Sequence, residues 1–426
     1  IEDKPFFESL TLEAGARYSD YSIAGGAGYD TWTWKAGGSW EPGAGLKIRG
    51  NYSRAVRAPN IGELFTPLSV ALTNLGIDPC AGAAPTGNAN LRAICIAQGA
   101  PAGTIGSITN PTAAQANINQ GGSLNLQPEK ADSWTLGAVF QPDFLPRFNL
   151  SIDYYNIKIK NVIGSPLPGD IIANCFGAIT AASAADPACT IIRRNPVTGG
   201  LDGDPATTPG LFGQTNNNGR LFTDGIDLLM NYNTDLGFAS LDWSFVGNWT
   251  HSSKFKSDVN LATSLNRECV GYYSVNCSFT GSIQPEYQFS NRFTLGFEKV
   301  DLSLLWRWQD SVSFEPQQLA DDIAAAVAAG SDPATGCPNP TTTDDNGCVV
   351  DPRFRKIKSA HYFDMTARFN VSDNLVFTAT VQNLLDKKPP VTGNTIGSTT
   401  YNSGNTFPSS YDALGRRYAV SAKLKF

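Results

Sequence analysis

The stretch "DLSLLWRWQD" (301–310) alternates with a period of two. Leu302, Leu304, Trp306 and Trp308 fall on one parity, and Ser303, Arg307 and Gln309 on the other. Successive side chains of an extended chain point to opposite faces, so this reads as a strand with one apolar and one polar face. Working outward, "YFDMTARFNV" (362–371) sets Phe363, Met365, Ala367, Phe369 and Val371 against Asp364, Thr366, Arg368 and Asn370. "TDGIDLLMNY" (223–232) sets Ile226, Leu228, Met230 and Tyr232 against Gly225, Asp227 and Asn231. The final "RRYAVSAKLKF" alternates in the same way and closes on Phe426.

Strand patterns come in couples joined by short turns: "EPGAG" (41–45), "QPDFLPR" (141–147), "TDLGF" (234–238), "EKV" (298–300) and "SDN" (372–374). Twelve strands are predicted, near 10–22, 31–40, 46–56, 130–140, 148–160, 221–233, 239–252, 286–297, 301–311, 361–371, 375–385 and 416–426. The remaining segments, 57–128, 162–217, 255–283, 314–358 and 387–410, read as long loops. A soluble sandwich would alternate too. Strands of about ten residues or more, short turns at one end with long loops at the other, and aromatics near strand ends favour an antiparallel transmembrane β-barrel. The short turns then face the periplasm and the long loops the exterior. In "FNLSIDYYNIKIKN" (148–161) the apolar parity switches at Tyr154 and Tyr155, which predicts a bulge or a strand leaving the bilayer.

Composition agrees: aromatics are 11% and charged residues only 16%, with 41 glycines, a balance that suits strands and turns. The net charge of -6 gives no reason to expect nucleic acid as a partner. No run reaches the roughly 18 apolar residues of a membrane helix. The eight cysteines fall as near neighbours, Cys80 with Cys95, Cys175 with Cys189, Cys269 with Cys277, and Cys337 with Cys348. Neither of the two histidines is near a pair, and zinc sites want shorter couples, so four disulfides are the economical reading, with free thiols or metal the alternative. Oxidised pairs imply a periplasmic or extracellular address. They would restrict long loops that lack a core of their own.

Several segments resemble TonB-dependent outer-membrane receptors. "NYSRAVRAPNIGELF" (51–65) is similar to a strand of that family running into an "RAP...EL" loop. "LQPEKADSWTLG" (126–137) is similar to a strand entry, with Thr135 where an acidic residue is common. "VQNLLDKKPP" (381–390) resembles a late "NLxDK" element, with Pro389 in place of the usual aromatic. The terminal strand, with Tyr418 and Phe426, resembles the signal read by outer-membrane assembly machinery. The resemblance implies a plugged barrel of about 22 strands, located in the outer membrane of a Gram-negative bacterium, that takes up a scarce small solute with energy delivered through TonB and uses no cofactor. The chain would then be the C-terminal half of the barrel. A plug and about ten strands would come from elsewhere, and a start without Met directly before a strand favours a second polypeptide. A self-contained 12-stranded barrel, a translocator or a phospholipase-like enzyme, is the alternative.

Candidate solute contacts are Arg54, Arg57, Asp224 and Arg307, placed with Asp364, Arg368 and Arg417 toward the lumen or mouth, and the loop aromatics Phe65, Phe176, Tyr272 and Tyr273. His251 and Ser252 are adjacent and point to opposite faces of a strand, so they do not make a catalytic dyad, and His361 reads as structural. "LDGD" (201–204) and "DDNGC" (344–348) read as Asx-rich turns before calcium loops, and no metal site is expected. "EPQQLADDIAAAVAA" (315–329) reads as a loop helix over the mouth. This reading predicts that the protein stays with the membrane pellet after high-salt and carbonate washing; recovery in the soluble fraction would support a secreted sandwich instead.

Overall fold

The computed structural model describes residues 1–26, 28–258, 267–274, 277, 283–320, 323, 352–392 and 406–425. Twelve long strands form one sheet: β1 (Phe7–Tyr21), β2 (Tyr29–Gly43), β3 (Leu46–Arg57), β4 (Glu129–Phe140), β5 (Phe148–Gly164) and β6 (Asn216–Asp235), followed by β7 (Ser240–Lys256), β8 (Tyr287–Gly296), β9 (Val300–Gln309), β10 (Ala360–Ser372), β11 (Leu375–Gln382) and β12 (Arg417–Leu424). They lie in chain order, each antiparallel to the next, and a short strand Glu2–Lys4 folds back on the foot of β1. The expected strands and short turns are present. β5 and β6 extend further at the loop end than their alternation alone suggests. The "EPGAG" turn needs Gly45, which has φ +72° and whose absent Cβ would collide with the carbonyl of Gln141.

Register makes each face continuous, because cross-strand partners share a face. From β6 to β9 one row runs Met230, Phe245, Asn291, Trp306, and the next runs Tyr232, Trp243, Phe293, Leu304. The apolar face continues through Phe363 and Met365 to Val381 and Tyr418. Its rings pack, with Trp243 and Phe293 centroids 5.8 Å apart and Trp306 and Phe363 5.9 Å apart. The opposite face is polar and laced by ion pairs, Glu13–Lys35, Arg49–Asp153 and Arg307–Asp364. We call the apolar face outer and the polar face inner.

β5 keeps an unbroken register with β4, and with β6 from Phe148 to Lys160. The parity switch at Tyr154 and Tyr155 is therefore no bulge in β5. Beyond it the outer face becomes Asn156, Lys158 and Lys160 and the inner face Ile157 and Ile159, as expected of a strand that continues past lipid. A bulge lies one pair away, between Asp224 and Gly225 opposite β7. Among the described residues, β12 pairs only with β11, and above Ser9 the far edge of β1 has no partner strand. Both edge strands are bare, with Leu12 80% and Val420 76% exposed.

The loops have cores, contrary to the expectation from sequence. The excursions after β3 and β5 fold together around a three-stranded sheet (Ser69–Asn74, Gln115–Gln120 and Leu211–Phe212) and helices Ala89–Ala97 and Pro168–Phe176. Ile94, Ile118, Ile171, Ile192, Leu201 and Leu211 are buried there, with disulfides Cys80–Cys95 and Cys175–Cys189. Arg194, fully buried, donates to Asp78 at 2.5 and 2.7 Å, to Gln98 Oε1 at 2.7 Å and to the Gly199 carbonyl. These apolar residues are scattered over two distant segments, and beside them the first segment alone buries Cys80, Leu91, Cys95, Ala100 and Ile108 in a smaller cluster.

A second core joins the later loops. Tyr272–Tyr273 runs beside Val312–Phe314, which pairs with Lys356–Ile357, and Tyr273, Phe314, Phe407 and Tyr411 are buried together. Cys269–Cys277 staples it; Cys337 and Cys348 lie outside the described residues. Buried Arg267 ties the two cores, reaching Asp170 at 3.2 Å and Glu315 at 2.9 Å. Replacing Arg194 by Ala leaves Asp78 buried without its partner, so the first loop core should lose about 3–5 kcal/mol. Hydrogen exchange should then accelerate over Ala89–Ala97 and leave β4–β9 unchanged; protection retained in the helix would refute the assignment.

Candidate functional site

The inner face at the loop end of β5–β10 gathers polar side chains beneath the second loop core. Tyr155 comes from β5, Asp227 from β6, Asn248 and Thr250 from β7, Gln288 from β8, and Arg307 and Gln309 from β9. They line two adjoining recesses of about 310 and about 540 Å³, which share Asp227, Asn248, Gln288, Gln309 and Ser410. The period-two alternation puts these residues on one face, and register brings them side by side: Asp227 opposes Asn248, which opposes Gln288, which opposes Gln309.

Asn248 Nδ2 donates to Asp227 Oδ1 at 2.8 Å and to the Tyr155 hydroxyl at 3.2 Å, while Thr250 Oγ1 donates to Asn248 Oδ1 at 2.9 Å. Arg307 donates to both Asp364 oxygens at 3.1 and 3.3 Å and lies over the Tyr362 ring. Asp364 Oδ1 also accepts the Asn383 amide at 2.8 Å. Arg307 is thus charge-matched, and amides and hydroxyls dominate the lining, which can both donate to and accept from a polar solute. Above the recess, burial pushes the Tyr273 and Tyr411 hydroxyls well above the ordinary phenol range, so both are neutral across the physiological range.

The residues singled out from sequence do not come together. Arg307 lines the recess. Arg57 is on the inner rim, where it holds Glu129 at 2.7 Å and Glu63 at 3.0 Å. Glu63 closes a capping box with Asn60 on helix Ile61–Phe65, so the "RAP...EL" and "PEK" segments form one joint. Phe65 is exposed at the end of that helix, Phe176 packs between two clusters of the first loop core, Tyr272 is half-buried, and Tyr273 is buried with its hydroxyl donating to the Phe354 carbonyl.

Arg54 and Asp224 belong to the outer face, a correction to the expected lumen or mouth. Arg54 stands over the Trp34 ring and pairs with Asp132, because it shares the parity of Tyr52. Asp224 meets the Tyr154 hydroxyl and His251 Nδ1. His251 and Ser252 do not take the opposite faces expected of neighbours, because the bulge leaves His251 as the extra residue and both stand by outer-face Asp224; Ser252 Oγ donates to Glu268, so the two serve different partners. Asp364, Arg368 and Arg417 are inner-face residues, paired with Arg307, Asp301 and Asp412.

In "LDGD", Asp202 accepts the Thr112 amide and Asp204 the Ala206 amide, as turn-forming carboxylates do. "DDNGC" lies outside the described residues, as does most of 315–329, of which 316–320 and 323 are helical. In "NLLDKK", Asn383 exchanges two hydrogen bonds with the Lys387 backbone, and Asp386 accepts the Arg416 amide. Tyr418 is on the outer face of β12 and 71% exposed; Phe426 lies outside the described residues. Tyr155, Asn248 and Gln288 are lining residues that the sequence reading passed over. Their signal was a polar side chain in the loop-side half of a predicted strand, a property many solvated positions share.

A family model described as TonB dependent receptor-like, beta-barrel, matches residues 2–384. No curated protein matches the chain. Among solved structures, a mutant ferric enterobactin receptor (PfeA) from Pseudomonas aeruginosa in complex with enterobactin is 16% identical, with a TM-score of 0.54 over 100% of this chain and 44% of that one. The same receptor in complex with BCV-L6 is 15% identical, with a TM-score of 0.53 over 98% and 43% of the two chains. The siderophore receptor PirA from Acinetobacter baumannii is 15% identical, with a TM-score of 0.49 over 98% and 46%. The chain spans under half the length of these structures, and at such identities the likeness to the two PfeA structures is one of fold.

Replacing Asp364 by Ala strands both Arg307 and the Asn383 amide. It should lower stability by about 1–3 kcal/mol, whereas Asp364→Asn, which keeps an acceptor, should cost less than half as much. Urea midpoints in detergent would check this, and equal midpoints for the two variants would contradict it.

Proposed function

The chain belongs to the TonB-dependent receptor β-barrel family, and on that premise we propose that residues 1–426 form the C-terminal part of an outer-membrane uptake receptor, completed by a plug and about ten further strands. The observation that carries the proposal is the pair of bare sheet edges. A strand edge in lipid leaves backbone groups without partners, so β1 and β12 call for neighbours. A second chain bearing the plug would supply them. The short turns face the periplasm and the disulfide-stapled loops the exterior of a Gram-negative cell. A scarce polar solute enters from the loop side and is held in the recess by Asp227, Asn248, Gln288 and Arg307, with Arg57, Phe65 and Tyr272 at the approaches. The barrel does no chemistry; TonB acts on the plug to release the solute.

The assembly purified from native outer membranes should give, on denaturing electrophoresis with peptide mapping, a stoichiometric partner carrying plug and strands, and uptake by the cells should fall to the level of a TonB deletion when this chain is removed. One longer polypeptide would retain the receptor and remove the second chain. A single 45.5 kDa species that forms a closed, detergent-resistant barrel would overturn the proposal in favour of a self-contained barrel.

A further inference from the structure

Toward the loop end, the outer face carries a row of cations without close ion pairs. Lys130 on β4 is directly opposite Lys160 on β5, which is opposite Arg220 on β6, which is opposite Lys256 on β7. Four cations thus stand side by side on four neighbouring strands, over about 14 Å at the usual strand spacing. The row below adds Lys158, over the Phe222 ring at 5.6 Å, and Lys254. Among the described residues, none of these six has a carboxylate within 4.0 Å. The acids on this face are shared: Asp132, opposite Lys158 in register and near Lys160, is bonded by Arg54, Asp224 by Tyr154 and His251, and Glu268, opposite Lys254 in register, by Ser252 Oγ and the Ser253 amide.

Like charges directly opposite one another destabilise a sheet, so a row of four is costly unless an anion meets it. The row's position narrows the choice of anion. Along β4 the same face passes from Lys130 through Asp132 to Trp134 and Leu136, which is 54% exposed. Four residues of a strand tilted by about 40° rise about 10 Å, so the cations stand just above a tryptophan at the lipid boundary. We propose that this row binds the head group of an outer-leaflet lipid carrying two or more phosphates, whose acyl chains lie against Leu136, Ile152 and Tyr154. Lysine and arginine clusters beside a membrane face attract anionic head groups in this way, and a row rather than a point suits phosphates spaced along one head group. The inference rests on the proposed orientation, with the long loops outside.

The test uses the assembly purified from outer membranes and stripped of lipid. Diphosphoryl lipid A, its dephosphorylated counterpart and inorganic phosphate are titrated in, and adducts are read by native mass spectrometry. The expected result is at least a roughly tenfold preference for the diphosphoryl lipid. The Lys130→Ser/Lys160→Ser variant should lose that preference, and Lys130→Arg/Lys160→Arg should retain it. Equal binding of the dephosphorylated lipid, displacement by inorganic phosphate at equal concentration, or retention by the serine variant would each overturn the proposal. If the serine variant does not fold, the two lipids still decide the matter on the native protein. Val197→Cys, exposed on the excursion after β5, is labelled on whole cells with an impermeant maleimide. Labelling without lipid preference refutes the row alone, whereas protection from label refutes the orientation and the row with it.

Discussion

A backbone that crosses lipid has no water to bond to, so every amide and carbonyl must find its partner in a neighbouring strand. The rest of the structure follows from that constraint. It requires the antiparallel register from β1 to β12, and register in turn makes each face continuous, because partners across a pair project to the same side. The apolar row from Tyr232 to Leu304 and the polar row from Asp227 to Gln309 are two consequences of one hydrogen-bonding pattern. Among the described residues, the outer edges of β1 above Ser9 and of β12 have no neighbour in this pattern.

Outside the bilayer the constraint relaxes and ordinary packing takes over. The loops solve their stability problem with two small cores, disulfides and buried ion pairs. A buried pair gives little net stability but makes loss of either partner expensive, which suits segments that must hold one arrangement without a large core. Arg194 does this within the first core and Arg267 between the two. Because Arg267 joins Asp170 to Glu315, the loops after β5, β7 and β9 cannot rearrange independently, and the roof of the recess is coupled to the loop core beside it.

Much of the fold was legible because period-two alternation is local. Ten residues suffice to read "DLSLLWRWQD" as a two-faced strand, and counting parity along "NYSRAVR" would have put Arg54 with Tyr52 on the outer face. The expected disulfides Cys80–Cys95, Cys175–Cys189 and Cys269–Cys277 were legible for the same reason, their partners being at most 15 residues apart. What failed was non-local. The loop cores draw Ile94, Ile171 and Leu211 from separate segments, and no periodicity announces that two loops will meet. The recess depends on register among six strands, which fixes the neighbours of Asn248; the sequence reading established its parity at most. The charge-matching of Arg307 by Asp364 is likewise a property of pairing between β9 and β10.

The two faces exchange polarity at a common height, and that exchange explains the irregularity in β5. Below Tyr154 the outer side chains are Phe148, Leu150 and Ile152 and the inner ones Ser151 and Asp153; above it the outer ones are Asn156, Lys158 and Lys160 and the inner ones Ile157 and Ile159. A change of strand register would swap the faces too, but both neighbours keep their pairing through this region. The environment, not the backbone, has therefore changed. On the outside lipid gives way to head groups and water, so polar residues replace apolar ones. On the inside an open polar lumen gives way to packed loops, where Ile163 joins Leu64 and Leu126 in a small cluster, so apolar residues replace polar ones. One strand thus reads the upper boundary of the membrane on one face and the floor of the loop cap on the other, and a parity switch without a bulge is what such a boundary must look like in sequence.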